Sequence, residues 1–404
     1  MVSNIPVSFP AVLILLAAAS ANAQFSGDFS IEKHFIEEEN FLDWKAYQDT
    51  IPSRYAWYEC ENGIKTTTGS LSQERFYHHH EIRLGFDFSD YASFFYEQKK
   101  DEFYSREPLY HEAEFRFGKT YGFSLIGYPF HEKRYNNAGI ALSHGKRSGF
   151  EYMRLSYLRI HAGFNELNKR DEKLSGNERY VDEPVLYRFE AKYKIRERLL
   201  VECDLAYEPD AGLSVPDENA EKTYTGYDYF VRFDWIIDSR WLAGVSYRTV
   251  RQERGFESAA GPDYTVQVMS LDSLDIYAGA RLTDRDHLAF GFLDSSFSND
   301  IDSSDPQELY GFIMTCPQIY CIWLNTRSDK RKMLYSLQAG TYDIYKEDRG
   351  AVDTDDRGID IKAGVGIILY EDKRYRFLAL STWDLDLFID RQWDGGNIQL
   401  QVHF

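Results

Sequence analysis

The stretch that most restricts the fold runs from Val185 to Tyr207. Val185, Tyr187, Phe189, Ala191, Tyr193 and Ile195 fall on one face of a strand, and Arg188, Glu190, Lys192 and Lys194 on the other, because strand side chains alternate with period two. After Arg196-Glu197 the returning strand repeats the scheme, with Leu199, Val201, Cys203, Leu205 and Tyr207 set against Glu202 and Asp204. One face calls for hydrocarbon, the other for water or paired charge. A closed sheet in a lipid bilayer supplies both, since its strands turn apolar side chains to lipid and polar ones to the lumen.

The same unit recurs. Ile82, Leu84, Phe86 and Phe88 alternate with Glu81, Arg83, Gly85 and Asp87; Ala113, Phe115 and Phe117 with Glu112, Glu114 and Arg116; Tyr227, Tyr229, Val231, Phe233 and Trp235 with Asp228, Arg232 and Asp234. Tight turns are expected at Ser89-Asp90, Gly118, Asp238-Ser239-Arg240 and Glu371 to Lys373. Long loops are expected over the polar stretches Glu97 to Glu107, Asn165 to Asp182, Arg251 to Asp263, Ser295 to Gln307 and Lys346 to Asp356. Glu308 to Asn325 reads as one strand bent at Pro317, which keeps short turns and long loops in strict alternation. The pattern predicts an all-β, transmembrane antiparallel up-and-down β-barrel of about 18 strands, or about 16 on the smaller count, with short periplasmic turns and long extracellular loops. Aromatic pairs flank the short turns (Phe117 and Tyr121, Trp235 and Trp241, Tyr370 and Tyr375), as an interfacial girdle requires.

The chain ends on Gly395 to Phe404, with Ile398, Leu400, Val402 and Phe404 on one face and Asn397, Gln399, Gln401 and His403 on the other. An alternating last strand that finishes on a terminal Phe resembles the closing strand of Gram-negative outer-membrane β-barrels of the porin-like superfamily. The resemblance covers this strand alone. It implies that Leu400, Val402 and Phe404 are the address read by the barrel-assembly machinery, and that the protein lies in the cell outer membrane among its lipid and lipopolysaccharide. At the other end, residues 1–23 read as a secretory signal peptide: the apolar run Ala11 to Ala19 precedes Ala21-Asn22-Ala23, small residues that a signal peptidase accepts, although no Lys or Arg comes before the run. Residues 24–78 form an N-terminal segment in which Phe25 to Phe35 alternates as a first strand would, the rest reading as a loop, a plug or a small periplasmic piece. Residues 79–404 are assigned to the barrel.

Composition agrees with a barrel. A mean hydropathy of -0.50 with 27% charged residues looks soluble, but a barrel hides polarity in alternate positions, and only helices and closed barrels satisfy every backbone group in lipid. The net charge of -19 repels a nucleic-acid backbone; the acidity is assigned to loops that meet divalent cations and lipopolysaccharide. Four cysteines are too few for a disulfide scaffold. Cys316 and Cys321 face opposite sides of a regular strand unless Pro317 bulges it.

The charged positions on the lumen side are the candidate pore lining: Arg83, Glu112, Glu114, Arg116, Arg188, Glu190, Lys192, Lys194, Glu202, Asp204, Arg232, Asp234, Arg248, Asp360, Lys362 and Arg376. Opposite charges around a lumen bias which solutes pass; a cross-strand salt-bridge lattice that merely satisfies a polar interior is the plainer account. His78, His79 and His80 point alternately, so at most two share a face, and no metal site is expected. Ser143 and His144 are strand neighbours facing opposite ways, and no GxSxG, HExxH or glycine-rich phosphate loop occurs, so neither enzyme activity nor a cofactor is expected. The functional expectation is a porin-like channel for small hydrophilic or charged solutes. The alternative is a barrel serving an exopolysaccharide export or electron-conduit complex, with a periplasmic partner.

Overall fold

The computed structural model describes residues 63–70, 77–103, 109–127, 138–145, 151–159, 179–195, 198–216, 219–238, 240–258, 261–283, 286–305, 310–327, 332–348, 351–371, 375–384 and 393–403. The alternating stretches fold as strands: β1 (Gly63–Ser70), β2 (Tyr77–Ser89), β3 (Ala92–Phe103), β4 (Leu109–Phe117), β5 (Tyr121–Gly127), β6 (Ala138–His144), β7 (Glu151–Arg159), β8 (Arg179–Asp182), β9 (Val185–Ile195), β10 (Leu199–Val215), β11 (Ala220–Ile236), β12 (Trp241–Ser258), β13 (Tyr264–Arg281), β14 (Asp286–Ser303), β15 (Tyr310–Arg327), β16 (Lys332–Asp348), β17 (Ala351–Glu371), β18 (Tyr375–Asp384) and β19 (Trp393–His403).

They form one all-β antiparallel sheet. Strands β1 to β7 pair in sequence, β7 pairs with β9, and the sequence resumes to β19, which pairs with β1 through Thr66↔Leu400 and Ile64↔Val402. Among the described residues the short β8 pairs only with β10, at Gly212 to Ser214, beyond Tyr207 where the β9–β10 ladder ends. Glu183-Pro184 separates β8 from β9, a break that suits proline, which has no N–H to give to a ladder. The β2–β3 and β4–β5 turns are tied together by Gly118 N–H donating to Tyr91 O at 2.8 Å, and Gly118 takes φ 115°. A side chain is rarely tolerated at such a φ.

Two expectations need correcting, and the one strand expected across Pro317 is found as β15. The place beside β19 goes to Gly63–Ser70; Phe25 to Phe35, expected there, lies outside the described residues. Arg251 to Asp263, Ser295 to Gln307 and Lys346 to Asp356 are largely strand: β12 runs to Ser258, β14 to Ser303, and β16 and β17 meet across residues 349–350. Their polarity signalled water on one face of a paired strand, where the ladder still satisfies the backbone. Likewise β3 continues to Phe103, and β8 lies inside the stretch Asn165 to Asp182. The bend expected at Pro317 leaves the register intact. Thr315↔Tyr345 and Gln318↔Tyr342 belong to one register, with Cys316 and Pro317 unpaired on the β16 side only. Cys316 and Cys321 therefore keep opposite faces, and the Cys321 thiol is free.

Candidate functional site

Burial defines two faces. On β5, β6 and β7 every second residue is buried and its neighbours exposed, but the polarity is the reverse of a water-soluble sheet. The exposed, outer face carries Phe123, Leu125, Ile140, Leu142, Met153 and Leu155; the buried, inner face carries Ser124, Ser143, Arg154 and Ser156. The same outer face continues with Phe115, Tyr187, Phe233, Trp235, Ile276 and Phe290, all substantially exposed. Exposed hydrocarbon on this scale marks contact with a non-aqueous medium or another protein.

The inner face is organised by arginines. Arg154, 2% exposed, donates from Nη1 to Glu190 at 2.5 Å and from Nη2 to Glu114 at 3.0 Å, with Glu112 at 3.8 Å. Glu114 is on β4, so Arg154 reaches it over β5 and β6. Along this path the two strands present the small inner residues Gly122, Ser124, Gly139, Ala141 and Ser143, with Ile126 at the Glu114 register. The sheet's stagger brings the partners level, since Glu114 registers with Leu158, four residues along β7 from Arg154. Among the described residues, the Ser124 hydroxyl beneath has no hydrogen-bond partner. Arg116 uses the same trough: its Nε donates to Ser143 Oγ at 2.9 Å and its Nη2 to Gly145 O at 2.9 Å. A Cβ at Gly122 would lie 2.4 Å from that Nε.

The lattice continues around the face. Arg188 forks onto Asp204 and lies 3.9 Å from Glu190; Arg248 forks onto Asp228 at 3.1 and 2.9 Å. Arg232 meets Asp234 at 2.7 Å, and Asp234 also accepts the Tyr277 hydroxyl, with the Arg232 guanidinium 5.7 Å from the Tyr277 ring centre. Gly244 leaves the room: its Cβ would lie 2.4 Å from Tyr277 Cζ. Water reaches this part, where Arg188, Asp204, Asp228 and Arg248 keep between 23% and 36% of their side chains exposed.

Register places twelve of the sixteen sequence-selected charges on this one face, and positions 83, 360, 362 and 376 fall in its backbone rows. Lys192 and Glu202 are partners, as are Glu202 and Arg232, and Lys194 and Leu200. Arg83, Asp360, Lys362 and Arg376 join through the rows Arg376↔Gln401↔Lys65↔Arg83↔Glu97↔Glu112 and Lys362↔Gln338↔Ile322↔Ala289. Arg154, Arg188 and Arg248 pair with carboxylates of other strands, and Arg232 with Asp234 of its own. Sequence selection does not include Arg154, which meets three carboxylates, or Tyr277. The signal for Arg154 was present, since Tyr152, Arg154 and Ser156 alternate with Met153, Leu155 and Tyr157. Leu400 and Val402 take outer-face registers opposite Phe377 and Tyr375; Phe404 lies outside the described residues. Among the described residues, no three His, Cys, Asp or Glu side chains are grouped to hold a metal ion.

Neither a family model nor a curated protein sequence matches this chain. Among solved structures it is similar to the translocator domain of autotransporter NalP from Neisseria meningitidis, at 10% identity over 95% of this chain and 100% of that one, with a TM-score of 0.37. It is also similar to a bacterial polysaccharide outer membrane secretin (12% identity, 86% and 99% covered, TM-score 0.40) and to a loop L8 deletion mutant of OmpT, an outer membrane protein of Vibrio cholerae (11% identity, 85% and 97% covered, TM-score 0.36). TM-scores of this size carry no functional information.

Proposed function

We propose that the chain is a porin-like channel of the outer membrane for small hydrophilic or charged solutes. On this reading the sheet closes on itself as a transmembrane barrel of about 18 strand positions, β8 and β9 sharing one, with short turns in the periplasm and long connections outside. The observation that carries it is the inverted polarity: hydrocarbon on the exposed face, a charge lattice on the buried one. Its vertical extent fits a bilayer. Tyr157, Tyr187, Tyr207 and Tyr227 are register partners across four neighbouring strands of the outer face, and Trp235 stands near the short-turn end of β11. The eight residue steps from Tyr227 to Trp235 span about 27 Å along the strand, or about 20 Å across a bilayer at a tilt of about 40°. Two aromatic belts at that spacing suit the two interfaces.

Residues 1–23 serve as the secretory signal peptide in this proposal. Leu400, Val402 and Phe404 form the strand address for the barrel-assembly machinery, and lipid and lipopolysaccharide surround the outer face. Solutes are sorted by the inner charges, Arg188, Asp204, Asp228 and Arg248 being those that water reaches. The test is conductance of purified, refolded protein in a planar bilayer, with the reversal potential under a salt gradient. Discrete ohmic steps with modest ion selectivity support the channel. A heat-modifiable but electrically silent protein overturns it and leaves the sleeve of an export or electron-conduit complex as the better account.

A further inference from the structure

Five consecutive short turns repeat one sequence device. Each carries a carboxylate and then, as the last residue before the next strand, an arginine: Glu197-Arg198 before β10, Asp238-Ser239-Arg240 before β12, Asp284-Arg285 before β14, Asp329-Lys330-Arg331 before β16 and Asp372-Lys373-Arg374 before β18. The chain as a whole is acidic, with a net charge of -19, yet a cation returns at this one place in every hairpin from β9 to β18. An arginine in an exposed turn is ordinarily just solvated. The repeat and its level in the sheet point further.

The carboxylate has a task inside the turn. Asp238 Oδ1 accepts the N–H groups of Arg240 at 2.7 Å and Trp241 at 2.9 Å, which holds the hairpin closed as an Asx turn does. The arginine side chain is left over. Arg198 and Arg240 are exposed, and among the described residues neither guanidinium is ion-paired or hydrogen-bonded. Their backbones take equivalent places: Arg198 O accepts Ile236 N–H, and Arg240 O accepts Arg281 N–H, each at 2.7 Å. Consecutive hairpins lie two strands apart, so the arginines recur about every 10 Å along the rim. Lys119, in an earlier short turn, is instead neutralised by Asp90 at 2.6 Å.

Depth decides what such a row meets. Leu199 registers with Trp235, and Trp241 directly follows Arg240; both tryptophans are exposed on the outer face. Arg198 and Arg240 therefore stand one residue beyond a tryptophan level, about 3 Å along the strand. On the placement proposed above, that level is the edge of the hydrocarbon, and the headgroup layer reaches about 5–7 Å farther. The turns end inside that layer. A guanidinium on its long stem lies among lipid phosphates there, and a soluble periplasmic partner would have to reach past the headgroups to meet it.

We propose that this arc of short turns is a phospholipid-binding rim, in which Arg198, Arg240, Arg285, Arg331 and Arg374 take phosphodiester groups of the periplasmic leaflet and favour anionic headgroups, phosphatidylglycerol among them. A guanidinium forks onto two phosphate oxygens. Each basic residue beside an anionic lipid surface strengthens the association about fivefold. The rim rests on the transmembrane placement proposed above and is independent of conduction.

The test uses the protein freed of its native cysteines and labelled with an uncharged fluorophore, at Ser239→Cys in a short turn or at Thr225→Cys just beyond the tyrosine row. It is folded into phosphatidylcholine vesicles that hold a minor fraction of spin-labelled phosphatidylglycerol or of spin-labelled phosphatidylcholine. At 239 the phosphatidylglycerol quenches as if enriched about fivefold over the phosphatidylcholine; at 225 the two quench alike. Arg198→Gln with Arg240→Gln brings the ratio at 239 close to one, and the corresponding lysine pair keeps most of it. Salt at about 1 M, which screens beyond about 3 Å, lowers the ratio without any arginine being changed, so the outcome does not hang on the glutamine variant folding. Equal quenching by the two lipids at 239, an equal excess at 225, or an excess that survives in the folded glutamine variant overturns the rim. Quenching by neither lipid at either position overturns the transmembrane placement and the rim with it.

Discussion

Arg154 on β7 and Glu114 on β4 are joined at 3.0 Å across two intervening strands. The bond exists only because β5 and β6 turn glycine, alanine and serine toward it. Buried ion pairs of this kind stabilise little relative to hydrocarbon, but losing one partner leaves the others charged and dry. Arg154→Ala strands Glu190, Glu114 and Glu112 together, and is expected to cost about 3–5 kcal/mol. Adding Glu114→Gln and Glu190→Gln to it should restore a large part of that loss. Urea unfolding in lipid vesicles measures both; equal stability of Arg154→Ala and wild type would mean the lattice contributes nothing.

A second prediction separates two glycines on neighbouring strands. A Cβ at Gly244 would lie 2.4 Å from Tyr277 Cζ and 2.5 Å from Asp234 Oδ1, whereas one at Gly279 meets nothing nearer than 3.9 Å. Gly244→Ala should therefore cost about 1–3 kcal/mol by overpacking, and Gly279→Ala should be nearly silent. Because the clash is with one ring, Gly244→Ala and Tyr277→Ala should be strongly non-additive in a double-mutant cycle. Additive losses would place the strain elsewhere.

Legibility in the sequence followed the period. Val185 to Tyr207 disclosed strands, faces and turn because alternation there is nearly unbroken, and the charges chosen from such segments all share one register face. Arg154 escaped notice because its importance lies in what it spans: the trough under it is built by Gly122, Ser124, Gly139 and Ala141, residues that carry no signal separately. The strand extensions to Ser258 and Ser303 are illegible for a related reason. Their alternation reverses polarity beyond the tyrosine row, so Arg251, Glu253 and Asp272 occupy outer positions where the preceding residues were apolar, and a reading that fixed the apolar side as outside saw the pattern end. The seam strand Gly63–Ser70 has threonine and glycine in place of a hydrophobic face, and only pairing with β2 and β19 identifies it.

The third prediction concerns acid. Between β8 and β9, Glu183 accepts hydrogen bonds from the Arg159 guanidinium, which hold its carboxyl below the usual carboxylate range against the opposing effect of burial. A carboxyl lowered in the folded state contributes stability above its unfolded pKa and loses it as pH falls through the lowered one. Both side chains are about 40% exposed, so the effect is local rather than global. Carboxyl NMR should show Glu183 titrating below the ordinary value of about 4.3, and Arg159→Gln should return it there. An unchanged midpoint in that variant would dissociate the shift from the pair.

The polarity reversal supplies the fourth. Phe233 and Glu221 lie on the same outer face of the same strand, β11, on opposite sides of Tyr227. If Tyr227 marks the edge of the hydrocarbon, a cation at 233 sits in lipid and one at 221 in water. Phe233→Lys is then expected to cost about 2–4 kcal/mol in vesicles, as lysine does near a bilayer midplane, while Glu221→Lys should stay within about 0.5 kcal/mol. In detergent micelles, which deform around a charge, the Phe233→Lys penalty should shrink and the Glu221→Lys value should not move. Similar costs at the two positions in vesicles would mean that the tyrosine row is not an interface, and that the exposed hydrocarbon below it faces something other than a bilayer.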